Sequence, residues 1–114
     1  IIMDCPENKA ALEYLLSFVL MYKDINNFMG YIEPYKGQNL PKLYQEAICV
    51  YQATKPDEQI LEAYNIDPKI WNRFANYDRN IQMMNAETAY KMYGDTYYYY
   101  LQYGATPEPP ETNN

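Results

Sequence analysis

Helix start signals occur in pairs along this chain, and they restrict the fold more than any other feature of the sequence. Each signal is an Asp, Asn or Thr, often followed closely by proline, and each precedes an apolar run with helical periodicity. Three pairs of such runs predict an all-α domain of about six helices in three antiparallel hairpins. The signals are Asp4/Pro6 with Asp24, Asn39/Pro41 with Thr54/Pro56, and Asp67/Pro68 with Asn85.

The predicted helices differ in how much of their surface is apolar. The first, over residues 6–22, is apolar on nearly all sides, so we expect other helices to surround it. A third helix is predicted over residues 41–53, and Thr54 is the expected N-cap of the fourth. The sixth helix is predicted to run unbroken from Asn85 to about Tyr103, where Gly104 supplies a C-terminal stop.

The domain organisation follows from the same pattern. Residues 1–105 are predicted to form one helical-hairpin repeat domain, which at this length can bury a core without a metal or disulfide. Residues 106–114 are rich in proline and polar side chains, and they predict a disordered C-terminal tail.

The spacing of the hairpins favours a tetratricopeptide-like stacked array. The hairpins begin near residues 6, 41 and 68, and the first spacing is close to the ~34-residue period of that repeat. Tyr44, Ala47, Ile48 and Tyr51 follow part of the spacing of its first helix, whereas Asn72 stands where the repeat has a terminal proline.

Charge and hydropathy argue against two classes of partner. Nine Lys and Arg residues against fifteen Asp and Glu residues give a net charge of -6 without a basic cluster, which disfavours nucleic-acid binding. The longest apolar stretch, residues 10–22, is shorter than the ~20 residues that cross a bilayer. We therefore predict that this segment does not span a membrane.

Residues that commonly carry catalysis are scarce. The chain has no histidine, and Ser17, its one serine, lacks a basic partner nearby in sequence. The cluster of Asp57, Glu58 and Glu62 fits a solvated helix face better than an acid-base pair or a cation site. We predict no catalytic residue, no cofactor and no metal. Cys5 and Cys49 lie far apart; a disulfide between them is open, but two unrelated thiols fit their spacing better.

Fifteen tyrosines, four of them consecutive, are the main compositional anomaly. On an unbroken sixth helix, Tyr93 and Tyr97 fall on the core face. Met92, Tyr98, Tyr99 and Tyr103 lie outside that face, and they are the candidate partner or ligand surface. Three explanations remain open for this extra aromatic surface: packing inside the array, a protein partner or second copy, and stacking on a glycan or peptide.

Three segments carry a resemblance to a known family. They are NKAALEYLLSFVLMYKDINNF (8–28), LPKLYQEAICVY (40–51) and YGDTYYYYLQYG (93–104). They resemble the C-terminal, helical-repeat part of a family of uncharacterised bacterial membrane proteins whose N-terminal part carries transmembrane helices. The resemblance implies an extracytoplasmic domain of a membrane-anchored parent, and it carries over no catalytic or binding residues.

Together these observations favour a non-enzymatic protein-interaction or scaffolding domain of a larger bacterial envelope protein, with a protein as the expected partner. The alternative is a small-ligand module that binds a glycan or peptide in a tyrosine-lined groove.

Overall fold

The computed structural model describes residues 6–55 and 58–104, with side chains from Ala10 onward except that of Glu58. Within these ranges the chain forms seven α-helices and no strand, which confirms the all-α prediction. Short 3₁₀ helices at Glu33–Tyr35 and Ile81–Met83 follow two of them. The α-helices are α1 (Pro6–Met21), α2 (Ile25–Ile32), α3 (Lys42–Thr54), α4 (Glu58–Ala63), α5 (Pro68–Asn80), α6 (Ala86–Tyr93) and α7 (Tyr97–Tyr103).

Local capping residues explain where several helices begin. The carboxylates of Asp24 and Asp67 accept hydrogen bonds from the backbone N–H groups of Asn27 and Lys69, and the side chain of Asn85 accepts from that of Thr88. These three predicted caps are confirmed. Gly104 closes α7 with a positive φ of 82°, a conformation that favours glycine. The predicted cap Asp4 and the predicted tail, residues 106–114, lie outside the described residues.

The predicted cap of the fourth helix is wrong. Thr54 belongs to the last turn of α3, where its hydroxyl donates to the carbonyl oxygen of Tyr51 at 2.9 Å. α4 starts only at Glu58.

The predicted sixth helix is two helices. α6 ends at Tyr93, the chain turns through Gly94 and Asp95, and α7 begins at Tyr97 with Thr96 as its N-cap. The hydroxyl of Thr96 accepts from the backbone N–H of Tyr99 at 3.1 Å, which starts a new helix instead of continuing the old one. A projection of residues 85–103 as one helix therefore fails beyond Tyr93.

α3 lies at the centre of the fold, where it contacts α2, α4, α5 and α7. Its buried apolar residues belong to two clusters. Ala47 and Ile48 pack in the cluster that includes α1 and α2, and Cys49 packs in the one that includes α5, α6 and α7. The pairs α1–α2 and α3–α4 are in contact, as expected for hairpins, whereas α5 packs mainly on α3. The regular stacking of a tetratricopeptide-like array stays a prediction.

The expectation that α1 is surrounded is wrong. One side of α1 is buried, through Leu12, Leu16, Val19 and Leu20. The opposite side is open, since Tyr14, Phe18, Met21 and Tyr22 are between 43% and 73% exposed. α1 is in close contact with α2, so most of its outer surface has no neighbour among the described residues.

Candidate interaction surface

Of the predicted surface residues Met92, Tyr98, Tyr99 and Tyr103, only two are exposed to solvent. Met92 and Tyr103 are exposed, whereas Tyr98 and Tyr99 are among the most buried side chains of the chain. The break at Gly94–Thr96 is the reason, because it turns the α7 side chains into the core. Tyr98 and Tyr99 are thus excluded from the surface, and binding at Met92 and Tyr103 stays a prediction.

Tyr98 is a core residue held by other aromatic rings. Its ring centroid is 5.2 Å from that of Phe74, 4.6 Å from that of Tyr77 and 6.0 Å from that of Tyr93. Burial raises the pKa of its phenol, and its hydroxyl has no hydrogen-bond partner among the described residues. Intramolecular packing, the first of the three explanations for the tyrosine surplus, therefore accounts for this side chain.

Four exposed apolar side chains lie instead along α1 and at its C-terminal end. We call Tyr14, Phe18, Met21 and Tyr22 the α1 face. The ring centroids of Tyr14 and Phe18 are 6.3 Å apart, and those of Phe18 and Tyr22 are 4.7 Å apart, so the aromatic side chains form a continuous row. Spacings of four residues place them on one side of the helix.

An apolar groove of about 400 Å³ continues from the α1 face. Met21 belongs to both, and Leu43 of α3, which is 41% exposed, lines the groove from the other side. Tyr97 and Tyr100 of α7 line it as well, together with Ser17, Leu20 and residues 94–96. The α1 face and this groove thus form one surface.

Two tyrosine hydroxyls fix the shape of the groove. The hydroxyl of Tyr97 donates to the carbonyl oxygen of Leu20 at 2.8 Å, and that of Tyr100 donates to the carbonyl oxygen of Met21 at 2.6 Å. Both acceptors are in the last turn of α1, and the carbonyl oxygen of Leu20 also accepts from the backbone N–H of Lys23 at 3.0 Å. α7 is therefore held against α1, and the groove is part of the folded structure.

A charged network supports the turn between α6 and α7 at the end of the groove. Asp95 accepts hydrogen bonds from Lys42 and Arg73, each at 2.9 Å. The bond from Lys42 is the main reason that the pKa of Asp95 is lowered to about 2. Arg73 also donates to the carbonyl oxygen of Met92 at 2.6 Å.

Glu46 is the buried member of this network. Its carboxylate accepts a hydrogen bond from the backbone N–H of Tyr97 at 2.8 Å and lies 3.6 Å from the amine of Lys42. Burial raises the pKa of Glu46, although both contacts favour the ionised form. Glu46 therefore links α3 to the first residue of α7.

The remaining chemically active side chains are either buried or unclustered. Cys49 is a free, fully buried thiol, and burial raises its pKa to about 12, so it is protonated at neutral pH. Glu62 is exposed, whereas Asp57 and the side chain of Glu58 lie outside the described part. No group of three or more His, Cys, Asp or Glu residues that could hold a metal occurs among the described residues. The question of a disulfide between Cys49 and Cys5 stays open, since Cys5 lies outside the described residues.

The sequence contains signals for this surface, but the same signals also predict buried helix faces. Tyr14, Phe18 and Tyr22 recur at steps of four residues, which predicts an apolar helix face without saying what covers it. Leu43, Ala47 and Val50 recur at helical spacing and predict a buried face, yet Leu43 is 41% exposed. None of the helices in the described ranges is both long and apolar enough to pass through a bilayer.

These features define a small all-helical domain with an apolar surface at the end of the fold where α1 meets α7. The chain belongs to DUF6057, a family of unknown function, whose model matches residues 1–104. No match was found among curated proteins or among solved structures.

Proposed function

We propose that this chain is a non-enzymatic protein-interaction module of a larger bacterial envelope protein, and that it faces away from the cytoplasm. The observation that carries the interaction role is the continuous apolar surface of the α1 face and the groove. The envelope placement is supported by the resemblance of residues 8–28, 40–51 and 93–104 to a membrane-anchored family.

The chemistry of the surface favours a protein over other partners. Aromatic residues and Met are enriched at protein interfaces, and the α1 face consists of them entirely. Nucleic acids and anionic lipids need clustered Lys and Arg residues, whereas this chain has a net charge of -6. Lys42 and Arg73, two cations at the end of the groove, are already paired with Asp95, which lines it.

The state of the ionisable groups supports a non-enzymatic role. A general acid or base needs access to its substrate and a pKa near the working pH. Glu46 and Cys49 are buried, and Asp95 is held ionised by Lys42 and Arg73. The sequence supplies no histidine for the task.

In vivo photo-crosslinking tests the proposal. A photoreactive amino acid at position 43 lies on the groove, and the same amino acid at position 83 is a matched control, since Met83 is 80% exposed but does not line the groove. In cells of the native host, we expect covalent adducts with another protein from position 43 and none from position 83. Equal labelling at the two positions would contradict the proposal.

Binding of a glycan or peptide is a second candidate, because the groove has a small-ligand size and contains tyrosine rings. Its volume of about 400 Å³ lies in the range of small-molecule sites, and the stacked rings of Tyr97 and Tyr100 line it. NMR titration with N-acetylglucosamine oligomers and with an extended peptide tests this candidate. Shifts confined to Leu43, Tyr97 and Tyr100 would support it, and an unchanged spectrum with both probes would rule it out for those ligands.

A further inference from the structure

The α1 face is uncharged and extends over about three turns of helix. Ala10 and Ala11 are exposed ahead of Tyr14, so the apolar surface runs from Ala10 to Tyr22, a length of about 18 Å at 1.5 Å per residue. Glu13 points about 100° away from Tyr14 around the helix. Lys23, just after α1, lies over the ring of Tyr100 at 5.4 Å.

The row of aromatic rings on α1 can pack against the same row on a second copy of the chain. Tyr14, Phe18 and Tyr22 form a ridge of the i, i+4, i+8 type. Two such ridges pack side by side when helices cross at about -50°, which is the commonest packing angle in globular proteins. If a second α1 runs in the opposite direction, Phe18 lies near the two-fold axis and Tyr14 of each copy lies beside Tyr22 of the other. Such an interface is isologous, as in most homodimers.

The exposed area fits a weak, reversible dimer. With about 200 Å² for a whole aromatic side chain, the three rings leave roughly 370 Å² exposed. A standard interface buries about 800 Å² on each partner, so the rings alone supply nearly half of one side. Met21 and the two alanines add to this area. The face also places no charge against a like charge, although each chain carries a net charge of -6.

We propose that the α1 face is a self-association surface, on which a second copy of this chain packs its α1 antiparallel across a two-fold axis near Phe18. This inference rests on the proposed interaction function and names one partner for it. A membrane surface fits less well, since interfacial helices carry Lys and Arg on their polar side, and the described exposed residues flanking the α1 face include Glu13 and Ser17.

Sedimentation equilibrium over a wide concentration range is the first test. We expect the average mass of the 114-residue chain to rise from 13.5 kDa towards twice that value with concentration. Phe18→Glu and Tyr14→Glu should both stay at the monomer mass with unchanged circular dichroism. Tyr14 is 73% exposed, so its substitution leaves the core intact. The matched control, Met83→Glu, should associate like the wild type.

Disulfide crosslinking tests the antiparallel arrangement. In a Cys5→Ser background, Phe18→Cys should crosslink to itself, whereas Tyr14→Cys should crosslink faster to Tyr22→Cys than to itself. Self-crosslinking of Tyr14→Cys at the rate of the mixture would overturn the antiparallel pairing.

A monomer mass at every concentration would overturn the self-association altogether. The proposed interaction function has a separate readout, because adducts of position 43 with a different protein would still be found if the chain were monomeric.

Discussion

At the scale of single residues, the four consecutive tyrosines have different roles. Tyr97, Tyr98 and Tyr99 are buried, and Tyr100 is partly buried beside the groove. Tyr97 and Tyr100 use their hydroxyls to bind carbonyl groups of α1, whereas the hydroxyl of Tyr98 has no hydrogen-bond partner in the described part of the chain. The same side chain is therefore a hydrogen-bonding group at one position and only a large ring at the next.

Removal of one hydroxyl should have opposite effects at neighbouring positions. Tyr98→Phe deletes a buried, unpaired group, so we expect the free energy of unfolding to stay the same or rise by up to about 1 kcal/mol. Tyr97→Phe removes one of the two hydrogen bonds to the carbonyl oxygen of Leu20 and leaves only that from the backbone N–H of Lys23. It should lower the free energy of unfolding by about 1 kcal/mol. Urea denaturation of both variants measures the difference. A clear loss of stability in Tyr98→Phe would contradict the unpaired state of its hydroxyl.

The buried carboxyl of Glu46 should make stability depend on pH. The pKa of Glu46 rises on folding, so protonation of its carboxyl contributes to the free energy of unfolding. This contribution is complete below the pKa of 4.5 in the unfolded chain, and it is lost as the pH rises through the raised pKa of the folded state. Glu46→Gln keeps an acceptor for the N–H of Tyr97 and removes this titration. We expect the variant to gain stability relative to the wild type as the pH rises above 4.5 and through the raised pKa of Glu46, as measured by urea denaturation at several pH values.

The matched variant Glu46→Ala separates the hydrogen bond from the charge. It leaves the N–H of Tyr97 unpaired, which should cost about 1–3 kcal/mol at every pH. Parallel pH profiles for the wild type and Glu46→Gln would contradict the prediction.

At the scale of helices, the sequence predicted those helix starts that depend only on residues nearby in sequence. Asp24, Asp67 and Asn85 cap helices where expected because each cap needs only the next two or three residues. The break between α6 and α7 escaped prediction because it depends on distant side chains. Glu46, Lys42 and Arg73 come from α3 and α5, and they bind the turn residues only after the chain has folded.

Gly94 provides a test of that turn. Its φ of -61° suits any residue, but an added Cβ would lie 2.5 Å from the carbonyl oxygen of Tyr90 and 2.7 Å from its ring. Gly94→Ala should therefore lower the free energy of unfolding by about 1–3 kcal/mol through overpacking. Gly30→Ala is the control, because α2 has open space there, and alanine should stabilise that helix by up to about 1 kcal/mol. Thermal denaturation measures both variants, and a Gly94→Ala protein more stable than Gly30→Ala would contradict the close packing at Gly94.

At the scale of the whole molecule, the helical class was predictable but the position of the exposed apolar surface was not. Periodicity shows that α1 is apolar, yet the number of neighbours around a helix is a property of the packed fold. α1 comes first among the described helices, packs closely on α2 and meets α7 only at its last turn, so its outer side stays open. The burial of Tyr98 and Tyr99 could not be predicted for the same reason, because it depends on packing against α5 and α6.

The bonds from Tyr97 and Tyr100 to α1 join residues that are 77 and 79 positions apart. During synthesis on the ribosome, the last turn of α1 emerges long before Tyr97 and Tyr100, whose hydroxyls bind the carbonyl oxygens of Leu20 and Met21. The first helix therefore cannot complete its native contacts until nearly the whole domain has left the exit tunnel. In a nascent chain arrested before Tyr97, α1 would lack its contacts with α7 and would be exposed to chaperones and proteases.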